Sequence, residues 1–234
     1  GGYVLDLSAL FSEDEVFRKG SDATPVSPSS LKHVDLSDGT VCVAADASAG
    51  YFMADDEKLY RSALGEETRL LCSVDKSVLR MAATGRGQLL LDLVTEIRLI
   101  DCSSGKELSR FALEENSTCL AVSEKGDSFA VGREDGGIDF FEAEGEGYAL
   151  NHSLPLHEDA VDAIAFARDE SEDREYLMSF GGDLKFYQVS LTSKKGMDRT
   201  AQGLHTQPIV ALVPGPYGRF YSFSSDESIK GWKN

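Results

Sequence analysis

The sequence predicts an all-β protein built from about five repeated units of about four strands each. Short apolar segments rich in β-branched and aromatic residues alternate with turns that contain Asp, Gly or Ser. An apolar residue that opens an alternating strand just after such a turn recurs at intervals of 38 to 46 residues. These strands start near Leu59, Ile97, Ile138, Leu184 and Ile229. A period of this length indicates a repeat architecture in which each unit is a small sheet.

The second unit shows the four predicted strands most clearly. They cover residues 78–82, 88–94, 97–101 and 108–113. Ser104-Gly105 lies between the last two of these strands, where a hairpin must reverse and Gly tolerates a positive φ. The third unit repeats the plan with strands predicted at 119–122, 128–131 and 138–141. The fourth unit does so with strands predicted at 161–166, 176–180 and 184–187.

The last thirty residues read HTQPIVALVPGPYGRFYSFSSDESIKGWKN. A His precedes the first strand, a Ser-x-Ser-x-Asp-x-Ser turn follows the second, and Ile-Lys-x-Trp forms the third. This segment resembles one WD40 repeat, and the period extends the resemblance over residues 30–234. The resemblance implies an all-β, WD40-like β-propeller of about five four-stranded blades. The blades are expected near residues 31–71, 77–113, 118–154, 160–200 and 207–234.

The resemblance also implies a hydrogen-bond network in the last blade. It would join His205, Ser222, Asp226 and Trp232, with a structural role, because a buried indole N–H usually finds a partner. No Gly-x-Ser-x-Gly elbow surrounds any Ser, as a hydrolase nucleophile of that type would require. The turn Asp recurs at Asp56 and Asp135. Other units depart from the family pattern, with Val94 and Gly181 at the turn position and Ser62, Ile100, Phe141 and Tyr187 at the Trp position.

The N-terminal segment, residues 1–30, precedes the first repeat. Residues 3–11 alternate in part between apolar and polar, and we expect them to pair with the last blade as its outer strand and close the ring. A short helix around residues 10–17, capped by Ser12, is the alternative. Five blades are few for this family, so the chain could also be part of a larger ring, or residues 12–30 could hold an irregular extra strand.

The charge of the chain limits the class of partner. Its 40 acidic and 23 basic residues give a net charge of −17. Phosphate recognition needs clusters of Lys and Arg, so we expect neither direct nucleic-acid binding nor association with anionic membranes. The acidic runs at 142–146 and 169–173 are either solvated loops or a negative rim that attracts a basic peptide.

The cysteine pattern points to a reducing compartment. Four cysteines are spread along the chain without a Cys-x-x-Cys motif, so no zinc site or redox pair is predicted. The sequence contains no run of 18 apolar residues and no phosphate-binding, EF-hand or His-Glu-x-x-His motif. We therefore expect an intracellular protein, cytoplasmic or nuclear, without cofactor, metal or catalytic residues.

The predicted function is a non-catalytic scaffold for protein–protein interaction, within a larger protein or complex. An exposed apolar patch that includes Tyr187, Tyr217 or Phe220 would favour it. The candidate contact residues lie near the starts of the inner strands, namely His33, Lys76, Asn116, His157, Asp159 and Gln207. One alternative is a propeller-type metal-dependent hydrolase, for which His157, Asp159 and Asp162 come nearest to a ligand set. The other is a structural spacer or oligomerisation domain.

Overall fold

The structure is a computed structural model that describes residues 2–5, 31–34, 42–46, 50–55, 57–62, 67–169, 174–191, 197–202, 205–214 and 219–233. These residues form twenty-one β-strands, and every pair of neighbouring strands is antiparallel. The first two strands, β1 (Gly2–Leu5) and β2 (Leu31–Val34), pair only with each other. The remaining strands form five sheets in chain order.

Each sheet consists of strands that follow one another in sequence. Sheet 1 contains β3 (Cys42–Asp46), β4 (Gly50–Asp55), β5 (Lys58–Ser62) and β6 (Arg69–Ser73). Sheet 2 contains β7 (Arg80–Ala83), β8 (Gln88–Asp92), β9 (Glu96–Asp101) and β10 (Glu107–Ala112). Sheet 3 contains β11 (Ser117–Val122), β12 (Ser128–Arg133), β13 (Gly137–Glu144) and β14 (Gly147–Pro155). Sheet 4 contains β15 (Val161–Asp169), β16 (Arg174–Gly181), β17 (Lys185–Ser190) and β18 (Met197–Gln202). Sheet 5 contains β19 (Ile209–Pro214), β20 (Arg219–Ser224) and β21 (Ile229–Lys233).

The first strands of consecutive sheets lie side by side. β3 contacts β7, β7 contacts β11, β11 contacts β15, and β15 contacts β19. We call these five the inner strands. A thiol bridges two of them, because Sγ of Cys119 in β11 lies 3.6 Å from the carbonyl oxygen of Val161 in β15. The sheets are thus stacked in sequence order along their inner strands.

Each pair of consecutive sheets encloses its own hydrophobic core. In β8, Leu89 and Leu91 pack toward sheet 1 while Leu90 packs toward sheet 3, as the two-residue period of a strand requires. Because both faces of sheet 2 are covered, this strand is buried over its whole length. None of the four core clusters of the described residues joins sheet 5 to sheet 1.

Aromatic rings fill the core between sheets 2 and 3. The rings of Phe129 and Phe141 stack with their centroids 4.4 Å apart. Phe111, from the outer strand of sheet 2, contacts both rings edge-on at 5.6 and 5.2 Å. Such pairs add to the free energy gained by burying the apolar area, which is about 1.5–3 kcal/mol for one fully buried large apolar side chain. In β10 the half-buried residues face this core and the residues between them are exposed, so the core explains the alternating burial of this strand.

The structure confirms the main strand predictions and corrects two details. Leu59, Ile97, Ile138 and Ile229 lie in β5, β9, β13 and β21, the third strands of their sheets. Leu184 instead adopts a φ of 58° in the turn before β17, where its N–H bonds the carbonyl of Gly181. The strand that follows is therefore shifted by two residues. Val189 pairs with Leu177 in sheet 4 in the way that Trp232 pairs with Phe220 in sheet 5. Val189 rather than Tyr187 thus occupies the position of the Trp in sheet 4.

The prediction that residues 3–11 pair with the last blade was wrong for residues 3–5, and residues 6–11 lie outside the described residues. Residues 2–5 pair with Leu31–Val34, and not with sheet 5 as an outer strand. β2 falls within the range expected for the first blade, yet sheet 1 begins with β3 at Cys42. A pairing between two segments this far apart in sequence leaves no local pattern by which it could be predicted. The alternative helix at residues 10–17 lies outside the described residues.

Candidate functional site

The starts of the inner strands carry a repeated irregularity. In β11, β15 and β19, one residue is inserted in the pairing with the second strand, and these bulged residues are Thr118, Asp162 and Val210. Leu79, directly before β7, occupies the corresponding position of sheet 2. A bulge turns a side chain away from the regular alternation and is frequent beside functional sites. We call Leu79, Thr118, Asp162 and Val210 the inner-strand surface.

The inner-strand surface combines apolar groups with one carboxylate. Val210 is 66% exposed and Leu79 is 48% exposed. Oδ2 of Asp162 is buried and has no hydrogen-bond partner among the described residues. Burial raises the pKa of Asp162, and the nearby charges of Asp159 and Asp183 raise it further, although the backbone N–H of Ile209 donates to this carboxylate and lowers it in part. An unpaired buried carboxylate oxygen costs free energy, so this end of β15 is not optimised for stability alone.

Four of the predicted contact residues lie in the loops that precede the inner strands. Lys76 precedes β7 and pairs with Glu96 at 3.4 Å. Asn116 precedes β11, and its Nδ2 donates to Oε2 of Glu134 at 3.1 Å. Two exposed residues, Asp159 and Gln207, precede β15 and β19. Because each of these four residues precedes an inner strand, it lies near the inner-strand surface. His33 lies in β2, outside the five sheets, and its side chain lies outside the described part.

His157 is not a surface contact residue, contrary to the prediction. Its side chain is completely buried. Nε2 lies 2.9 Å from Oγ of Ser179, and Nδ1 lies 2.9 Å from Oδ1 of Asp183. A carboxylate only accepts hydrogen bonds, so Nδ1 carries the proton and Nε2 accepts from the Ser179 hydroxyl. The ring of Tyr187 contacts the imidazole edge-on, with centroids 4.7 Å apart.

Sheet 5 contains the network that the resemblance implied. Nε2 of His205 lies 2.7 Å from Oγ of Ser222, and Nε1 of Trp232 donates to the same oxygen at 2.9 Å. Nδ1 of His205 lies 3.1 Å from Oδ2 of Asp226. Asp226 also accepts the backbone N–H groups of Thr206 and Ser228, both at 3.0 Å. The structure therefore brings all four predicted side chains together and ties them to the turn.

The charge states of these two networks follow from their surroundings. The hydroxyl of Ser228, the backbone of Thr206 and His205 hold the pKa of Asp226 far below its usual range, although burial opposes them. Burial alone would raise the pKa of Asp183, but hydrogen bonds from His157 and from backbone N–H groups lower it below its ordinary value. Burial lowers the pKa of His157, although the hydrogen bond and charge of Asp183 raise it in part. The arrangement favours neutral His157 beside a carboxylate anion.

The sequence does not predict the network around His157 when Tyr187 is taken as the equivalent of Trp232, because the turn Asp is then expected six residues before Tyr187. The count placed Gly181 at the turn, two residues before Asp183. The spacing that could have revealed it is the interval from Ser to Asp, which is four residues in both Ser179–Asp183 and Ser222–Asp226. The prediction of an exposed aromatic patch was also wrong for Phe220 and Tyr187, which are buried. Tyr217 and Asp56 lie outside the described residues.

Asp135 takes part in a different arrangement in sheet 3. Its carboxylate accepts two hydrogen bonds from Arg133, at 2.9 and 3.0 Å, and one from the N–H of Gly137 at 3.0 Å. Arg133 also donates to Oδ1 of Asp139 at 2.9 Å, and the hydroxyl of Ser153 donates to the same oxygen at 2.6 Å. A buried guanidinium thus bonds the turn aspartate in sheet 3, as His157 and His205 do in sheets 4 and 5.

The geometry of the two His-Ser-Asp groups indicates a structural role. Ser222 is fully buried, and its oxygen already contacts both His205 and Trp232, so the hydroxyl is enclosed and a substrate could not reach it. In the part of the chain that the structure describes, no three His, Cys, Asp or Glu side chains converge as a metal ion would require. The same part contains no helix with the length and apolar character of a membrane span. No protein-family model matches the chain, and no curated protein matches it.

Proposed function

We propose that the chain is a WD40-like β-propeller domain that acts as a non-catalytic scaffold for protein–protein interaction. Consecutive four-stranded sheets, contiguous inner strands and a core between each pair of sheets support this architecture. The two His-Ser-Asp networks support it further, because each fixes the turn of one sheet to the segment that enters it. Such a domain would be one module of a larger protein or complex.

The inner-strand surface is the observation that carries the functional proposal. Its position at the starts of adjacent strands is rigid, since each strand is hydrogen-bonded within its sheet and packed against the next. Its exposed Leu79 and Val210 would gain free energy if a partner covered them, at about 25 cal/mol per Å² of apolar area. A pure spacer has no need for an exposed apolar surface with an unpaired carboxylate.

The expected partner is a protein or peptide with basic character. The net charge of −17 would attract a cationic surface and repel nucleic acid and anionic membranes. All four cysteines are free thiols, which is consistent with a reducing compartment such as the cytoplasm or nucleus. A cation from the partner would meet Asp162 and the exposed Asp159.

The test compares three immobilised baits in cell extract, with bound proteins quantified by mass spectrometry. The first bait is the wild-type chain, and the second carries Val210→Lys on the inner-strand surface. The third carries Leu108→Lys, which places the same charge on another exposed apolar residue, in the outer strand of sheet 2. Both substitutions are at exposed positions, so all three baits should have the same melting temperature.

We expect at least one protein to bind the wild-type and Leu108→Lys baits and to be depleted about tenfold or more on the Val210→Lys bait. Proteins that bind all three baits equally would show that the inner-strand surface is not the site of interaction. Baits that capture no protein at all would contradict the scaffold and favour the structural spacer.

A further inference from the structure

A groove lies between sheets 3 and 4, away from the inner strands. It has a volume of about 240 Å³. Phe140 of β13 and Val189 of β17 are almost fully buried and form its floor, and Leu154 and Leu191 form its half-buried walls. Phe140, Leu154 and Leu191 belong to the core between the two sheets, so the groove is an opening onto that core.

The size of the groove suits one side chain. Pockets for small molecules usually measure about 300–1,000 Å³, which is larger than this groove. A cavity of roughly 150 Å³ already holds a benzene ring, so a Leu or Phe side chain would fit here. An apolar side chain suits the floor of the groove, because Phe140 and Val189 offer no side-chain hydrogen bonds there. The polar lining of the groove is supplied by Glu142, Asn151, His152 and Ser190.

The rim of the groove is acidic and polar. Glu142 is exposed, and its Oε2 accepts a hydrogen bond from Nδ2 of Asn151. A bulge in β14 inserts Asn151 opposite Phe140 and Phe141, which brings the amide to the carboxylate. No described Lys or Arg forms an ion pair with Glu142. Its second oxygen thus remains for a cation from outside.

Further acidic groups extend the rim along sheet 3. Glu144 follows Glu142 by two residues in β13, so both lie on the face that carries Phe140. Arg86 instead lies over the ring of Tyr148, which packs toward sheet 2 on the opposite face. On the side of sheet 4, the carbonyl of Glu175 accepts the N–H of Leu191 at 3.0 Å. The groove therefore has carboxylates along the sheet 3 side of its opening.

The ionisation of Glu175, whose backbone carbonyl bonds Leu191 of the groove, is altered first by burial and then by neighbouring acidic charge. Burial raises the pKa of Glu175, and the charge of Asp127 raises it further. Arg168 and Lys125 act in the opposite direction but do not cancel the increase.

We propose that the groove binds a short linear segment of a basic partner protein. One aliphatic or aromatic side chain of that segment enters between Phe140, Leu154, Val189 and Leu191, and a neighbouring Lys or Arg pairs with Glu142. This site is separate from the inner-strand surface, but it rests on the proposed role in protein–protein interaction. The groove would hold one anchoring side chain of a linear motif, whereas the inner-strand surface would contact a partner over a broader area.

The test uses arrays of nine-residue peptides whose central residue is Leu, Phe, Ala or Ser and whose neighbours are Lys, Ser or Glu. The full chain is applied at low and at moderate salt. Variant Glu142→Lys reverses the charge at the rim. Variant Glu134→Lys is the matched control, because Glu134 is also exposed and also accepts a hydrogen bond from an Asn side chain, that of Asn116. Both variants change the net charge by the same amount.

We expect the wild type and Glu134→Lys to bind peptides with a Leu or Phe centre and Lys neighbours. Replacing the centre by Ala or the neighbours by Glu should weaken binding about tenfold or more, as should the substitution Glu142→Lys. Equal binding by the two variants, or no binding to any peptide, would overturn the proposal. If the wild-type bait still captures a Val210-dependent partner, the interaction function stands and the groove alone is refuted.

Discussion

Ser222 Oγ joins the third strand of sheet 5 to the segment that enters the sheet. It accepts the N–H of Trp232 in β21 and donates to Nε2 of His205, which precedes β19. His205 in turn donates to the turn residue Asp226. One hydroxyl thus pairs with the nitrogens of buried His205 and half-buried Trp232 at once, and its removal takes this partner from both of them.

We predict that Ser222→Ala lowers the free energy of unfolding by about 2–4 kcal/mol, because an unsatisfied buried polar group costs about 1–3 kcal/mol. Denaturant unfolding measures this change. The control is Ser225→Ala, three residues further along, whose side chain is exposed and should change the stability by less than about 0.5 kcal/mol. A loss in Ser222→Ala no larger than that of the control would show that the network does not stabilise the sheet.

The pKa of His157 predicts how stability depends on pH. Burial holds this pKa below its ordinary value of 6.5, so the unfolded chain takes up the proton first as the pH falls. His157 therefore contributes stability above about pH 6.5 that is progressively lost below it. The variant His157→Gln should show a shallower decline between pH 6.5 and 5, measured by denaturant titration, whereas His152→Gln, at an exposed position, should decline as the wild type does. Identical slopes in all three proteins would contradict the assignment.

The residues of the candidate sites differ in how far the sequence predicts them. His205, Ser222, Asp226 and Trp232 come from one short segment, so the resemblance to a known repeat sufficed to group them. Asp183 was missed because the turn before β17 contains Leu184 in a left-handed conformation, which a non-Gly residue rarely adopts. The unpaired oxygen of Asp162 depends on a bulge and on burial by neighbouring sheets, and neither leaves a local pattern.

Among the elements, the hairpin turns set the distance between consecutive sheets. Gly126, in the turn between β11 and β12, has a φ of +65°, and a Cβ atom there would lie 1.7 Å from the carbonyl oxygen of Thr84 in sheet 2. The neighbouring hydroxyl of Tyr148 donates to the carbonyl of Gly126 at 2.6 Å. The turn can therefore pack on sheet 2 only without a side chain at this position.

We predict that Gly126→Ala is more destabilising than Gly145→Ala by about 1–3 kcal/mol. Gly145 has nearly the same φ, +61°, but a Cβ atom there would meet nothing within 4 Å. Both variants carry the conformational cost of Ala at positive φ, so their difference isolates the clash with Thr84. Thermal or denaturant unfolding gives both values, and equal losses would mean that the turn can move away from sheet 2 at little cost.

Strand positions were well predicted because each strand has its own local signature. The alternation of apolar residues and the Asp or Gly turns placed β5, β9, β13 and β21 correctly. The pairing of Gly2–Leu5 with Leu31–Val34 was not predicted, because it depends on contacts between distant segments and neither strand repeats the turn pattern. Local patterns thus predicted the strands within a repeat better than the pairing of strands outside it.

For the whole molecule, the excess of 17 negative charges opposes folding into a compact state. Screening should reduce this repulsion more than it weakens exposed ion pairs, since such pairs contribute only about 0–1 kcal/mol each. We predict that the melting temperature rises steadily as the NaCl concentration increases from low to moderate ionic strength. Calorimetry in NaCl and in KCl at the same ionic strength separates screening from binding of one particular ion. A constant or falling melting temperature would contradict this prediction.

The four separate cores have a consequence for the way the molecule opens. In the described part of the chain each core joins a sheet to its immediate neighbour, so opening can spread from one sheet to the next, as in a one-dimensional array with nearest-neighbour coupling. If the row has free ends, the amide hydrogens of sheets 1 and 5 should exchange with deuterium long before those of sheets 2, 3 and 4. If the row closes on itself, every sheet has two neighbours and the five sheets should exchange at similar rates. Protection factors resolved by sheet would therefore distinguish an open chain of sheets from a closed circle.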